Sequence, residues 1–171
     1  MKDFNIIIPV KSFSCDELDE QRRHLVDLAC EATSRSYSPY SHFRVGAAIE
    51  LDNGEIVTGA NQENVASPSG TCAERSACFY AGAHYPDAHF VRIAIAARGT
   101  DGEFTAIPTA PCGACRQSLL EYEMLAGHDV EVILYGSEAT YVIPSVRMLL
   151  PLAFTEYKIN PIISYSLNGL Y

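Results

Sequence analysis

The chain is short of positive charge. Its 171 residues carry 12 Lys and Arg against 21 Asp and Glu, a formal net charge of −9. Phosphate backbones are gripped by Lys and Arg, so this balance argues against a nucleic-acid polymer as partner. No apolar run approaches membrane-spanning length, and the apolar part of Met1 to Val10 is too short for a signal peptide. Internal repeats and low-complexity tracts are missing too. There are six cysteines, three of them gathered in two short motifs, which points to reduced thiols and a cytoplasmic protein. With 48% hydrophobic residues the chain is not a disordered one, and its length suits a single domain with a substantial core.

What is present is concentrated in two segments, Thr71-Cys72-Ala73-Glu74-Arg75 and Pro111-Cys112-Gly113-Ala114-Cys115-Arg116. The turn inside a C-x-x-C pair lets both sulfurs reach one tetrahedral metal. Cys72 is the one further cysteine with motif-like surroundings. Cys72, Cys112 and Cys115 therefore offer three thiolates and leave the fourth zinc position to water, the arrangement of a catalytic site. A fourth ligand from His42 would close the site and make it structural, but the expectation is three protein ligands. Cys15, Cys30 and Cys78 are spare and read as small core or surface residues.

The periodicity predicts a helix from Asp16 to Arg35, with apolar positions at Leu18, Leu25, Leu28, Ala29 and Ala32. A Ser/Tyr/Pro loop follows over 36–42. Phe43 to Leu51 and Glu55 to Ala60 read as strands joined by the turn Asp52-Asn53-Gly54. Helices are predicted from Cys72 to about Ala83 and from Cys112 to about Leu125, and strands over Val91 to Ala97 and Val130 to Tyr135. An edge strand near Tyr141 to Ile143 and a short helix over Val146 to Leu150 follow. Two βα units after a hairpin imply an α/β fold with a mixed sheet and helices on its faces. Ile6 to Val10 favours a strand inside an extended arm, 1–15, with Pro9 barring a central position. The arm precedes a domain over 16–157, and 158–171 is a tail with no functional reading.

Cys72 and Cys112 each open a predicted helix, where the helix field favours the thiolate a metal needs. Three thiolates leave a zinc site net negative, and Arg75 and Arg116 stand close enough in sequence to donate hydrogen bonds to sulfur and offset that charge. Glu74, two residues beyond a ligand, can reach the metal-bound water without ligating. One carboxylate so placed can carry protons to and from a reacting group. A first-turn glutamate is also favoured by the helix dipole alone.

The Cys-Ala-Glu and Pro-Cys-Gly-x-Cys motifs resemble the zinc-dependent nucleobase deaminases, with Cys72 where the general signature writes histidine. Together with Tyr37 to Gly46 and Asn61-Gln62-Glu63-Asn64, they resemble cytidine deaminases of the small homotetrameric type, from about Leu25 to Phe154. The resemblance implies a three-layer α/β/α fold on a mixed five-stranded sheet. It also implies one Zn²⁺ per subunit and hydrolytic deamination of cytidine and 2′-deoxycytidine in pyrimidine salvage, with Glu74 as the catalytic proton carrier. By resemblance Asn61 and Glu63 hold the ribose 3′-OH, Phe43 packs on the base, and a neighbouring subunit supplies Phe154. Tyr40 matches a residue at subunit contacts. The Ala73 N–H, at a helix start, is placed to meet the pyrimidine O2. Asn64 reads as a loop residue satisfying its own turn. No basic cluster accompanies this loop, which favours a nucleoside over a nucleotide.

Ser67 is a departure, since the family commonly has an aromatic there that helps join subunits. Two rivals follow from the same residues. A deaminase of aminonucleoside antibiotics such as blasticidin S shares the zinc motifs, but the Asn61/Glu63 pair argues for a ribose. A non-catalytic zinc scaffold explains the cysteines and leaves Glu74 and the Asn-x-Glu loop as coincidences.

Overall fold

The computed structural model describes residues 3–155, so the predicted tail lies outside the described residues. In chain order the elements are β1 Lys11–Phe13, α1 Glu20–Ala32, β2 Arg44–Leu51, β3 Ile56–Ala60, α2 Ala73–His84, β4 Phe90–Arg98, α3 Gly113–Ala126, β5 Glu131–Tyr135 and β6 Thr140–Ile143. Short 3-10 turns occupy Cys15–Glu17, Thr33–Arg35, Ser67–Ser69 and Val146–Leu149. The sheet runs β1-β6-β5-β4-β2-β3, with β4 and β5 parallel and every other pair antiparallel.

Strand periodicity sorts the side chains into two cores. From β2, Ala47, Ile49 and Leu51 face α2 and α3, joined by Ile93, Ile95, Val132 and Leu134. Ala48 points the other way and packs with Ala94, Ala96 and Ile133 against Leu25, Val26 and Ala29 of α1. The result is α/β/α in three layers, as the resemblance implied.

The sheet has six strands, not five. The sixth is β1, whose Lys11 to Phe13 pair with Val142 to Thr140 of β6. The strand expected over Ile6 to Val10 does not form: pairing starts only after Pro9, which has no N–H to give a ladder, and Ile6, Ile7, Ile8 and Val10 lie exposed outside it. The single helix expected over 16–35 is divided, because the Asp19 side chain accepts the Arg22 N–H at 2.9 Å and caps a fresh start at Glu20. The hairpin turn forms as read, with Gly54 at φ +87°.

Two glycines let helices lie close against the sheet. A Cβ on Gly46 would stand 2.1 Å from the Ala29 carbonyl oxygen of α1, and one on Gly59 would stand 2.5 Å from both the Ala73 oxygen and the Ala77 nitrogen of α2. All of these are backbone atoms, so only movement of a whole helix relieves the clash. Gly59→Ala is expected to cost about 2–3 kcal/mol by overpacking. Because it pushes on the first turn of α2, it should also disturb whatever Cys72 and Glu74 hold. Thermal unfolding with zinc titration checks both effects; unchanged values for both would show that α2 can shift freely.

Candidate metal centre and substrate pocket

Cys72 and Cys112 are the N-cap residues of α2 and α3, which begin at Ala73 and Gly113, one position later than predicted. Both have extended backbone angles, and neither side chain caps its own helix. Their sulfurs therefore stay free to project from two converging helix N-termini. Cys115, one turn further along α3, returns to the same face as Cys112. The Cys72 and Cys112 Sγ atoms are 4.0 Å apart, those of Cys112 and Cys115 3.5 Å, and all three lie within 4.8 Å of one another. Sulfurs bound tetrahedrally at about 2.3 Å from zinc sit about 3.8 Å apart, so the spacing fits the ion. Cys72, Cys78, Cys112 and Cys115 form no disulfide. His42 is not a member of the cluster; it is exposed, with φ +57°.

The Cys72 thiol is drawn down to about 5, first by its hydrogen bond with Cys115 and then by the Arg75 guanidinium. The same contact with Cys72, followed by burial, pushes Cys115 up. A hydrogen bond with Cys72 in turn raises the Arg75 guanidinium, whose Nε is buried without a hydrogen-bond partner among the described residues. Arg116 does something else. Its Nε donates to the Pro111 carbonyl at 2.7 Å and its Nη1 to the Leu149 carbonyl at 2.8 Å. Cys78 is buried and unused, its thiol pushed up to about 12 by burial.

Glu74, in the first turn of α2, is 4% exposed, and burial holds its carboxyl above the usual carboxylate range. It faces a cavity of about 830 Å³ that is also lined by Cys72, Arg75, Cys112, Phe43, Asn61 and Glu63. Most of the sequence-predicted site is therefore brought to one place. Ala73 is fully buried and does not line the cavity. Phe154 does not line it either: it is 64% exposed, and its carbonyl accepts from Gln117 Nε2 at 2.9 Å.

The Asn61 and Glu63 side chains are partly committed to shaping the loop. Asn61 Oδ1 accepts from Ser36 Oγ at 2.6 Å and from the Val45 N–H at 2.7 Å, while Nδ2 donates to the Phe43 carbonyl at 3.0 Å. Glu63 Oε2 accepts the N–H groups of Tyr40 at 2.8 Å and Ser41 at 3.3 Å. Hydrogen bonding to Ser41 and Tyr40 holds its carboxyl below the ordinary range. That leaves one Asn61 N–H as a donor and part of the Glu63 carboxylate as an acceptor. Asn64 does satisfy its own turn, accepting the Ala66 N–H at 2.9 Å. The exposed Ser67 lies at the cavity rim with Val65.

Glu123 escaped the sequence reading. It is 2% exposed on α3 and accepts from the N–H groups of Val130, Val146 and Arg147 and from the Ser145 hydroxyl. Its spacing from Cys115, Leu119 and Leu120 puts it on the buried face of the helix, and that periodicity was the available signal.

Three thiolates at two helix starts, with a buried carboxylate beside them, define a zinc-dependent hydrolytic centre on an α/β/α scaffold. Residues 19–126 match the family described as the cytidine and deoxycytidylate deaminase zinc-binding region. A cytidine deaminase of Halalkalibacterium halodurans is 37% identical over 139 residues, covering 81% of this chain and 98% of that protein. One of Mycobacterium tuberculosis is 40% identical over 105 residues, 60% of this chain and 74% of that protein. The crystal structure of cytidine deaminase from Burkholderia pseudomallei superposes with a TM-score of 0.66 at 34% identity, over 80% of this chain and 100% of that one. The chain belongs to the cytidine and deoxycytidylate deaminase family. It is an aminohydrolase with a site for one zinc ion.

Proposed function

We propose that the chain deaminates cytidine and 2′-deoxycytidine to uridine and 2′-deoxyuridine, releasing ammonia, as a step of pyrimidine salvage. The observation that carries this reading is Glu74, a buried carboxylate in the same cavity as Cys72 and Cys112. Zinc held by Cys72, Cys112 and Cys115 supplies the Lewis acidity that makes water a nucleophile near neutral pH. Glu74 carries the protons. It takes one from the attacking water and gives it to N3 of the base, then passes the second water proton to the amino nitrogen. The C4–O bond forms, the C4–N bond breaks, and the amino group leaves as ammonia. Burial suits Glu74 to this work, since a carboxyl held above its usual range both accepts and returns a proton readily.

Asn61 and Glu63 clasp a ribose hydroxyl with their remaining donor and acceptor, Phe43 packs on the base, and the Ala73 N–H meets O2. Arg75 offsets the charge of the thiolates. Arg75 is the one cation among the described lining residues, against the two carboxylates Glu63 and Glu74, so a neutral nucleoside suits the cavity better than a phosphorylated one. Relatives that carry the name cytidine deaminase align along most of their length. Phe154, exposed and outside its own chain's cavity, serves the active site of a neighbouring copy in a homotetramer. The free thiols fit a cytoplasmic setting, and the acidic surface fits neither nucleic acid nor an anionic membrane. No described helix is long and apolar enough to cross a membrane.

Ammonia release from zinc-replete protein given cytidine, deoxycytidine, cytidylate and blasticidin S in parallel tests the reading. Turnover of the two nucleosides alone is expected. Turnover of blasticidin S alone would move the chain to the antibiotic-deaminase rival, and cytidylate as the preferred substrate would remove the argument from cavity charge.

A further inference from the structure

We propose that Arg116 is a positioning residue for the zinc ligand Cys112, and that it acts by tying two backbone carbonyls together, not by donating to a thiolate. The proposal rests on the zinc site argued above. Pro111 immediately precedes Cys112, so the orientation of its peptide sets the direction in which the Cys112 side chain leaves the backbone. Around that peptide Pro111 is buried and the Cys112 carbonyl accepts the Arg116 N–H at 2.9 Å, while Gly113 has no packing neighbour where a Cβ would stand and the Cys112 side chain makes no cap bond. Arg116 Nε, at 2.7 Å, is the donor that fixes the Pro111 carbonyl.

The guanidinium is itself held at its other edge. Nη1 donates to the Leu149 carbonyl at 2.8 Å, at the end of the 3-10 turn Val146–Leu149. This turn is pinned by Glu123, seven residues along the same helix, which accepts the Val146 N–H at 2.7 Å and the Arg147 N–H at 3.1 Å. α3 therefore carries both the clamp and the anchor of the segment the clamp bears on. A planar fork with two nitrogens donating in fixed directions can bridge two carbonyls; a lysine ammonium is a single point on a flexible stem and does not reproduce it.

Zinc affinity measured by competition with a chromophoric chelator, on full-length wild type, Arg116→Ala and Arg116→Lys, tests this, with kcat and KM for cytidine at saturating zinc. Both variants are expected to bind zinc about 10–100-fold more weakly than wild type. With zinc saturating, kcat should recover more of its wild-type value than zinc affinity does, and KM should stay unchanged, because the clamp touches the ligand and not the substrate. Arg147→Ala, which removes a nearby exposed cation, should leave zinc affinity unchanged. If Arg116→Lys binds zinc as tightly as wild type, charge alone suffices and the proposal fails. Unchanged zinc affinity in both variants with a lower melting temperature would make Arg116 a brace of the fold only, and would also overturn it. Wild type that binds no zinc would overturn the deaminase reading together with this one.

Discussion

Glu74→Gln is expected to bind zinc as wild type does and to turn cytidine over on the order of 10³–10⁴-fold more slowly. The amide keeps the shape and the hydrogen-bonding length of the carboxylate in a site that is 4% exposed, so packing around the first turn of α2 is preserved. What it loses is basicity. An amide cannot take a proton from water at neutral pH, nor hand two protons in succession to the base. Stability should not fall, because an uncharged group of the same size costs less to bury than a carboxylate. Metal analysis, the melting temperature and ammonia release together make the test specific. Retained zinc and fold with turnover near wild type would remove Glu74 from the reaction. Loss of zinc along with turnover would make it a support of the metal site.

The parts of this molecule that were legible in the sequence are those whose partners lie within a few residues. Cys112 and Cys115 meet on one face because three residues make nearly one helical turn, and Cys72 and Glu74 flank a helix start for a similarly local reason. The Asp52-Asn53-Gly54 turn and the Asn64 side chain folded onto the Ala66 N–H are equally short-range. Sequence periodicity also separated strands from helices through the centre of the chain. The misses are long-range. β1 owes its existence to β6, which lies well over a hundred residues away in the chain, and nothing in Lys11–Phe13 announces that partner. Arg116 was read as a sulfur donor from its nearness to Cys115, whereas one of its two carbonyls comes from Leu149. What Asn61 does besides reaching toward a sugar is long-range as well: most of its hydrogen-bonding capacity goes to Ser36, Val45 and Phe43, holding the loop that carries Phe43.

Glu123 is the clearest of these misses, and its removal should have the largest effect on stability. Glu123→Ala is expected to destabilise the fold by about 3–5 kcal/mol, since each buried donor left without its acceptor costs roughly 1–3 kcal/mol and some relax toward one another or toward water. The donors are the N–H groups of Val130 at 3.0 Å, Val146 at 2.7 Å and Arg147 at 3.1 Å, and the Ser145 hydroxyl at 2.8 Å. Three of the four are backbone groups, so no rotamer change can carry them back to solvent. They belong to two separate stretches, the start of β5 and the segment after β6, and one carboxylate staples both to α3. The Arg147 side chain adds little to this, being 64% exposed and 3.8 Å from the carboxylate. For a domain of this size the loss lowers the melting temperature by roughly 10 °C. Ser145→Ala removes one donor together with its demand and should cost only about 1 kcal/mol. Urea or thermal unfolding of the two variants beside wild type measures the difference. Equal and small losses would mean that water replaces the carboxylate and that the staple is dispensable.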